Sequence, residues 1–329
     1  MHCSSVTIAV DAMGGDFAPR EIVKGSYLAA QEPGINIILV GLESQIKSEL
    51  NKLGSAKNIR IENAPDIIKM EEHAARAVKS KPHSSISIAA QLVKENKANA
   101  MVSAGNTGAA MSAALLKIGR IKGVSRPAIA VVVPTLNKLV VLLDAGANVE
   151  CKPHNIFQFA VMGKSYASKV LGVNKPTIGL LNIGKEHEKG SEFLQKSHKL
   201  LESIEGFVGN IEGNDIPEGK TDVVVCDGFI GNVVLKLMEG ISSVFFSEVK
   251  RVVNASVSGK IGGFLITPSF KMIKNKLDSE EYGGAHLLGI NGVCIIGHGN
   301  SNAKAFKNAI MVAKRAVLEN IVSEIKKDI

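Results

Sequence analysis

The chain has no tryptophan, only three tyrosines and an aromatic share of 4%. Carbohydrate-stacking clefts and platforms for single-stranded nucleic acid depend on such rings, so both are disfavoured. Lysine and arginine form no long run, which argues against a nucleic-acid tail. The four cysteines, at 3, 151, 226 and 294, include no pair spaced for CxxC chemistry or a zinc site. Cys226 and Cys294 sit in apolar runs and read as buried strand residues. There is no HExxH, paired-carboxylate spacing or GxSxG elbow, no P-loop, and no GxGxxG after the first apolar run. Zinc hydrolases, nucleophile-elbow hydrolases, ordinary nucleoside triphosphate sites and Rossmann dinucleotide sites are therefore not written here. No apolar run is expected to approach the ~20 residues of a membrane span. No signal-peptide core precedes the first strand at Val6–Val10. The expectation is a reduced, soluble, cytoplasmic protein without a nucleic-acid partner.

What is present is glycine, 32 residues of it, placed in a pattern. Short aliphatic runs stop at Gly/Asn/Asp-rich turns, and helical stretches follow. The runs are 6–10, 35–40, 100–104, 139–143, 178–183, 222–226 and 293–296. Continuous rather than alternating apolar strands indicate burial on both faces, the habit of a mostly parallel sheet. Helices are expected over 20–31, 43–53, 86–96, 107–118, 155–171, 191–203, 230–254 and 302–325. Ala128–Val133 and Leu139–Leu143 are joined by only Pro134 to Lys138, a link that suits an antiparallel hairpin and not a crossover. That hairpin disfavours a (β/α)₈ barrel. The fold expected is α/β: a mixed, mostly parallel sheet in an α/β/α arrangement. Residues 1–329 would form a single catalytic unit of two lobes around a cleft, with a helical arm near 250–280.

In open parallel sheets, ligands bind outside the carboxyl ends of the strands. Glycine there lets backbone N–H groups approach an anion, and a following helix adds its positive end. Gly105-Asn106-Thr107-Gly108 fits this design, with Thr107 as the expected helix cap. One such loop is an ordinary turn as readily as a ligand loop; seven are harder to dismiss. Gly184 to Gly190 encloses five consecutive ionisable residues, read either as a solvated tip or as a cation, Lys185 or Lys189, offered to phosphate. His298 lies between two glycines and shares its loop with Asn300 and Ser301. The formal charge of +8 favours acidic or phosphorylated partners, though many soluble proteins simply carry a basic surface.

Together these loops resemble one family. Asp11-Ala12-Met13-Gly14-Gly15-Asp16, Ser103 to Ala109, Leu143 to Asn148, Leu181 to Gly184, Cys226 to Asn232 and Tyr282 to Ala285 look like the signature blocks of PlsX-type phosphate acyltransferases. They occur in that family's order. The resemblance implies the reaction of an acyl carrier protein thioester with inorganic phosphate, giving acyl phosphate for phospholipid synthesis. It also implies a homodimer, a fold similar to the isocitrate dehydrogenase and phosphotransacetylase group, and no metal or organic cofactor. Residue by residue, Lys189, Asn232 and His298 become the catalytic candidates. Gly14, Gly15, Asp16, Gly105, Asn106, Thr107, Gly108, Asn148, Asn182, Asp227 and Gly228 become the substrate and phosphate loops. Lys185 and His187 depart from the family pattern and receive no role. An acidic carrier protein suits a basic enzyme. Arg76, Lys79 and Lys81 form its candidate dock, or else a solvated basic face. The competing readings are a phosphotransacetylase-like enzyme that uses acyl-CoA, a decarboxylating dehydrogenase, whose metal-binding Asp cluster is not evident, and a non-catalytic scaffold for lipid enzymes.

Residues 249–277 contain no Asp or Glu but include Lys250, Arg251, Lys260, Lys271, Lys274 and Lys276. Thr267 and Pro268 predict the start of a short helix, with Phe270, Ile273 and Leu277 on one face. A basic amphipathic helix can lie in an anionic membrane interface. It can equally be a core or dimer helix. The resemblance favours the membrane, since these enzymes are peripheral membrane proteins.

Overall fold

A computed structural model describes residues 5–277 and 279–329, with the backbone alone at 274, 275, 277, 279 and 280. Cys3 lies outside the described residues, as do the side chains of Lys274 and Leu277. Eleven strands form one sheet: β1 (Val6–Asp11), β2 (Ile35–Gly41), β3 (Ile59–Asn63), β4 (Ala100–Ser103), β5 (Ala128–Pro134), β6 (Leu139–Leu143), β7 (Ile178–Leu181), β8 (Phe207–Ile211), β9 (Val223–Val225), β10 (Ala285–Leu288) and β11 (Val293–Ile296). The helices are α1 (Arg20–Ala30), α2 (Glu43–Asn51), α3 (Ala74–Ser80), α4 (Ser85–Lys94), α5 (Thr107–Ala113), α6 (Pro153–Lys169), α7 (Glu192–Leu201), α8 (Asp215–Glu218), α9 (Gly228–Asn254), α10 (Val257–Leu277), α11 (Ala303–Leu318) and α12 (Ile321–Asp328).

The spatial order is β3-β2-β1-β4-β11-β10-β5-β6-β9-β7-β8. The strands β3, β2, β1, β4 and β11 run parallel to one another, and so do β6, β9, β7 and β8. Between the two blocks, β11–β10, β10–β5 and β5–β6 pair antiparallel. Three reversals are an odd number, so the blocks point in opposite directions. The expected hairpin is present, with Pro134 opposite Leu139.

Helices cover both faces, which gives the expected α/β/α layering. One core joins Ile8, Val10 and Val223 to Ile22 of α1, Phe159 of α6 and Phe306 of α11. On the other face, Ala9, Met101 and Cys294 pack on α3, α4 and α5. Val140, Leu142 and Cys226 pack on Ile216 of α8 and on Leu235 and Met238 of α9. Phe159 and Phe306 are completely enclosed, and truncating either to Ala would cost about 3–5 kcal/mol.

Three local expectations are corrected. Helix α5 is capped by Asn106, not Thr107: Asn106 Oδ1 accepts from Ala109 N at 3.0 Å. The stretch 302–325 divides at Asn320, whose φ of 51° ends α11 before α12 begins. The arm holds no short helix starting at Pro268. Instead α10 runs continuously from Val257 to Leu277 with Pro268 inside it. Thr267 Oγ1 donates back to Gly263 O at 2.6 Å rather than capping a new start. Pro268 removes one ladder hydrogen bond, and its exposed position leaves water to satisfy the freed carbonyl.

Helix α9 corrects the expectation that no apolar run approaches the length of a membrane span. Charges at Lys236, Glu239 and Glu248 interrupt its apolar run. Among the described residues it is nevertheless the one helix long and apolar enough to cross a membrane by length and composition, and only 6% of its most apolar stretch is buried.

Candidate active site

The opposed blocks sort the glycine-rich loops into two groups. The first group follows β1, β4 and β11. Asp11, at the end of β1, accepts from Ser103 Oγ at 2.7 Å and from Met13 N at 3.3 Å. Ser103 Oγ in turn accepts from Gly105 N at 3.0 Å, so one buried carboxylate shapes both turns. Burial pushes the Asp11 carboxyl above the usual carboxylate range, and hydrogen bonds from Ser85 and Ser103 oppose the shift. Gly14 has no room for a side chain, because Gly105 N and Asp11 Oδ2 fill that space. Asp16 N donates to Gly299 O at 2.7 Å, which ties the β1 loop to the β11 loop that carries His298. Gly15 and the exposed Asp16 and Thr107 complete this rim, and Gly108 packs against Ala74 of α3.

The second group follows β6, β7 and β9. Asp144 is its organiser, and the sequence reading assigned it no role. Its Oδ1 accepts from Ile129 N, Gly146 N and Ala147 N at 2.9, 3.2 and 3.0 Å. Its Oδ2 accepts from Asn148 N and Nδ2 at 2.7 and 2.9 Å. Burial again pushes the carboxyl upward, against the pull of these donors. Gly228 fits only because it lacks a Cβ, which would stand 2.7 Å from Asp144 Oδ2 and 2.8 Å from Asn148 N. Gly228 N donates to Asn148 O at 2.8 Å, and Asp227 Oδ1 caps α9 by accepting from Ile230 N at 2.9 Å. Asn232, one turn into α9, lies over Gly146. The signal for Asp144 was available: an Asp at the end of an apolar strand, followed by a glycine turn, is the natural acceptor for that turn's N–H groups.

The loop 184–190 leaves β7 at the same edge, one strand beyond β9. It is ordered by its carbonyls. Asn182 Nδ2 donates to Lys189 O at 3.0 Å, Asn210 Nδ2 to Glu186 O at 2.7 Å, and Gln195 Nε2 to Glu188 O at 2.7 Å. Lys185 turns to Asp215 at 3.6 Å and Glu212 at 3.9 Å. Lys189 is exposed, and among the described residues its ammonium makes no ion pair.

The four asparagines singled out from the sequence thus divide. Asn106 donates to Met70 O and Glu72 O while capping α5. Asn148 donates to Pro127 O and Asp144. Asn182 accepts from Ile183 N and donates to Lys189 O. Their amides hold the loops in shape. Asn232 alone of the four makes no side-chain hydrogen bond among the described residues. His298 belongs to the first group but faces α9, where its Nε2 lies 3.4 Å from Glu239 Oε1. This contact links the β11 loop to the middle of α9. Of the candidate dock, Lys81 is tied to Glu72 at 2.7 Å and to Ile67 O at 2.9 Å. Arg76 and Lys79 are exposed and line a shallow hollow with Ala75 and Ser80.

The described cysteines are held toward the thiol form. Burial pushes Cys151 up to about 11 and Cys226 well above its ordinary value. Among the described residues, no group of His, Cys, Asp and Glu could hold a metal ion. Backbone N–H groups, the free amide of Asn232 and the free ammonium of Lys189 are among the means this edge offers, and they suit stabilisation of an anion.

The architecture defines the class first. A phosphotransacetylase from Streptococcus pyogenes superposes with a TM-score of 0.64 at 18% identity, covering 96% of this chain and 94% of that one. The EutD phosphotransacetylase from Staphylococcus aureus gives a TM-score of 0.61 at 16% identity, over 95% and 94% of the two chains. The fold is that of the phosphotransacetylase group. The family model described as "Fatty acid synthesis protein" matches residues 6–324. A protein of Pelotomaculum thermopropionicum named phosphate acyltransferase is 52% identical over 323 residues, 98% of this chain and 94% of that protein. One of the same name from Desulfitobacterium hafniense is 49% identical over 324 residues, covering 98% and 97% of the two. The chain belongs to this family of acyltransferases, the PlsX-type phosphate acyltransferases.

Proposed function

We propose that the protein transfers the acyl chain of an acyl carrier protein thioester to inorganic phosphate, as a single catalytic unit with two lobes. A phosphate oxygen attacks the thioester carbonyl, the tetrahedral oxyanion collapses, the carbon–sulfur bond breaks, and the thiolate leaves to be protonated by solvent. The products are acyl phosphate and the free carrier. Phosphate is largely ionised at neutral pH and thiolate is a good leaving group, so no strong base is required. The protein's task is to hold two anionic partners together and to stabilise the oxyanion.

The observation that carries this reading is the second loop group. Lys189 and Asn232 carry an uncommitted ammonium and amide there, on loops whose asparagine and aspartate side chains at 144, 148, 182 and 227 are already hydrogen-bonded. Lys189 would meet phosphate or the oxyanion. Asn232 and the N–H groups at the start of α9 would hold the carbonyl oxygen. Thr107 and Gly108 of the first group would receive the other anionic partner at the start of α5, on a turn shaped by Gly105 and Asp16. Arg76 and Lys79, both exposed, would attract the acidic carrier.

The same reading has the protein act in the cytoplasm as a homodimer at the inner membrane surface. Exposed apolar side chains along α9 and α10 support both contacts. The test is synthesis of acyl phosphate from purified protein, acyl carrier protein thioester and phosphate, run beside acyl-CoA and without added metal. Turnover with acyl-CoA alone would make the enzyme a phosphotransacetylase. Acyl phosphate from neither donor would leave the scaffold reading in its place.

A further inference from the structure

A cavity of about 730 Å³ runs between α9 and β5, away from the loops of the second group. Its walls are largely aliphatic: Val132 and Val133 of β5, and Leu235, Met238, Ile241 and Phe246 of α9. The face of α9 that lines it begins at the site. Asn232, Leu235, Glu239, Ser242 and Phe246 follow one another at three- and four-residue spacing, the repeat that keeps side chains on one side of a helix. From Leu235 to Phe246 the helix rises about 16 Å. Leu136, Pro217 and Lys250 stand at the far end. There Lys276 Nζ donates to Leu136 O at 2.7 Å and fixes α10 to the hairpin loop.

One acidic group interrupts the apolar wall past Leu235 and Met238. Glu239 Oε1 is enclosed and lacks a hydrogen bond, although His298 Nε2 is 3.4 Å away. A mostly apolar groove that starts one turn of α9 from Asn232 matches a ligand with a reactive polar head and a long alkyl tail. Its volume and depth suit a chain of many methylenes better than an acetyl group.

We propose that this groove takes the acyl chain of the donor, and that Ser242 and Phe246 set the chain length accepted. The proposal rests on the acyltransferase reading above. Ser242 leaves space midway along the groove, so Ser242→Phe would close it there. Phe246 stands toward the far end, so Phe246→Ala would deepen it.

The test compares kcat/KM for butyryl, decanoyl and palmitoyl donors. Ser242→Phe should lower the palmitoyl-to-butyryl ratio by about tenfold or more, the scale on which a pocket discriminates chains differing by methylenes. Phe246→Ala should move the preference toward the longest chain. A ratio is insensitive to partial loss of folded protein, and the dimer mass is measured in parallel by sedimentation. Unchanged ratios in both variants, with wild-type turnover intact, would overturn the groove assignment alone. Dissociation of the Ser242→Phe dimer would mean that a second copy, not an acyl chain, fills the groove. Absence of acyl phosphate from the wild type with every donor would remove the acyltransferase reading and this proposal with it.

Discussion

Gly14 and Gly105, on different strands of the first block, meet backbone to backbone. A Cβ on Gly14 would stand 2.7 Å from Gly105 N and 2.5 Å from Asp11 Oδ2. Neither obstacle is the end of a flexible side chain free to swing away, because Asp11 is held by Ser103 and by backbone donors. Gly14→Ala should therefore cost about 1–3 kcal/mol in urea unfolding, the usual penalty for overpacking. Gly213→Ala is the control, since nothing lies within 4 Å of its Cβ position. It should leave the midpoint in place. Equal midpoints for the two variants would show that the β1 and β4 loops yield easily.

Lys189 and Asn232 present an ammonium and an amide of the second loop group that make no ion pair or hydrogen bond among the described residues. Lys189→Ala and Asn232→Ala should keep wild-type melting curves and lose on the order of 10²–10³ in kcat, the cost of removing one oxyanion stabiliser. Lys185→Ala gives up a contact from an exposed ammonium to the buried Asp215 at 3.6 Å, but Asp215 keeps Lys220 as its partner, so turnover should change little. Wild-type rates for Lys189→Ala would reduce the 184–190 loop to a solvated tip.

The strands that announced themselves in the sequence are those buried on both faces, such as β1, β4 and β11, whose residues are almost all aliphatic. β3 and β8 went unread because they alternate: Arg60, Glu62 and Asn210 interrupt their apolar positions. The hairpin was legible because five residues cannot carry a crossover. The reversal between the two blocks was not, because it depends on β10, four residues long, inserting between β11 and β5. Site composition was legible loop by loop, whereas the division of labour within each loop was not. Asn106, Asn148 and Asn182 look like ligand contacts in sequence. Their actual partners, Met70 O, Pro127 O and Lys189 O, belong to other segments or to the far end of the same loop. Asp144 was overlooked for the same reason, since its role depends on Ile129 N across the hairpin and on Gly228 from β9.

His286 on β10 is completely buried, sets its ring edge-on to Tyr166 at 5.5 Å, and leaves Nδ1 without a hydrogen bond. Burial lowers its pKa from the ordinary 6.5 to about 3. The unfolded chain takes up a proton at 6.5, whereas the fold resists doing so until about 3. The contribution of this residue to stability is thus fully present above pH 6.5 and is lost as the pH falls toward 3. The slope within that window approaches about 1.4 kcal/mol per pH unit. His286→Phe keeps a ring against Tyr166 and removes the titration. Denaturant unfolding across the window should show a shallower acid limb for the variant. Parallel limbs would mean that His286 does not drive acid destabilisation.

The two arm helices expose apolar faces that a soluble monomer rarely leaves open. On α9, Ile230, Val233, Leu237, Ile241 and Val244 recur at three- and four-residue spacing and are 40–63% exposed. On α10, Phe264, Leu265 and Met272 are 81%, 71% and 74% exposed, more than the Ile273 first singled out, at 48%. The two faces differ in charge. Helix α9 carries Glu239 and Glu248 beside its lysines, whereas α10 has no Asp or Glu and holds Lys260, Lys271 and Lys276. A mixed-charge apolar stripe suits a second copy of the chain, and a purely basic one suits anionic lipid. If α9 forms the proposed dimer, Leu237→Lys should yield monomer in sedimentation velocity where the unaltered protein sediments as a dimer. Phe264→Ser with Leu265→Ser should leave the dimer whole while binding to phosphatidylglycerol liposomes falls by about tenfold or more, since burying each such side chain contributes roughly 1.5–3 kcal/mol. Turnover with a soluble short-chain donor should survive the α10 changes, because no candidate catalytic residue lies on α10. If the α10 double variant becomes monomeric, that face is a protein interface. If liposome binding is unchanged, the membrane contact lies elsewhere on the molecule.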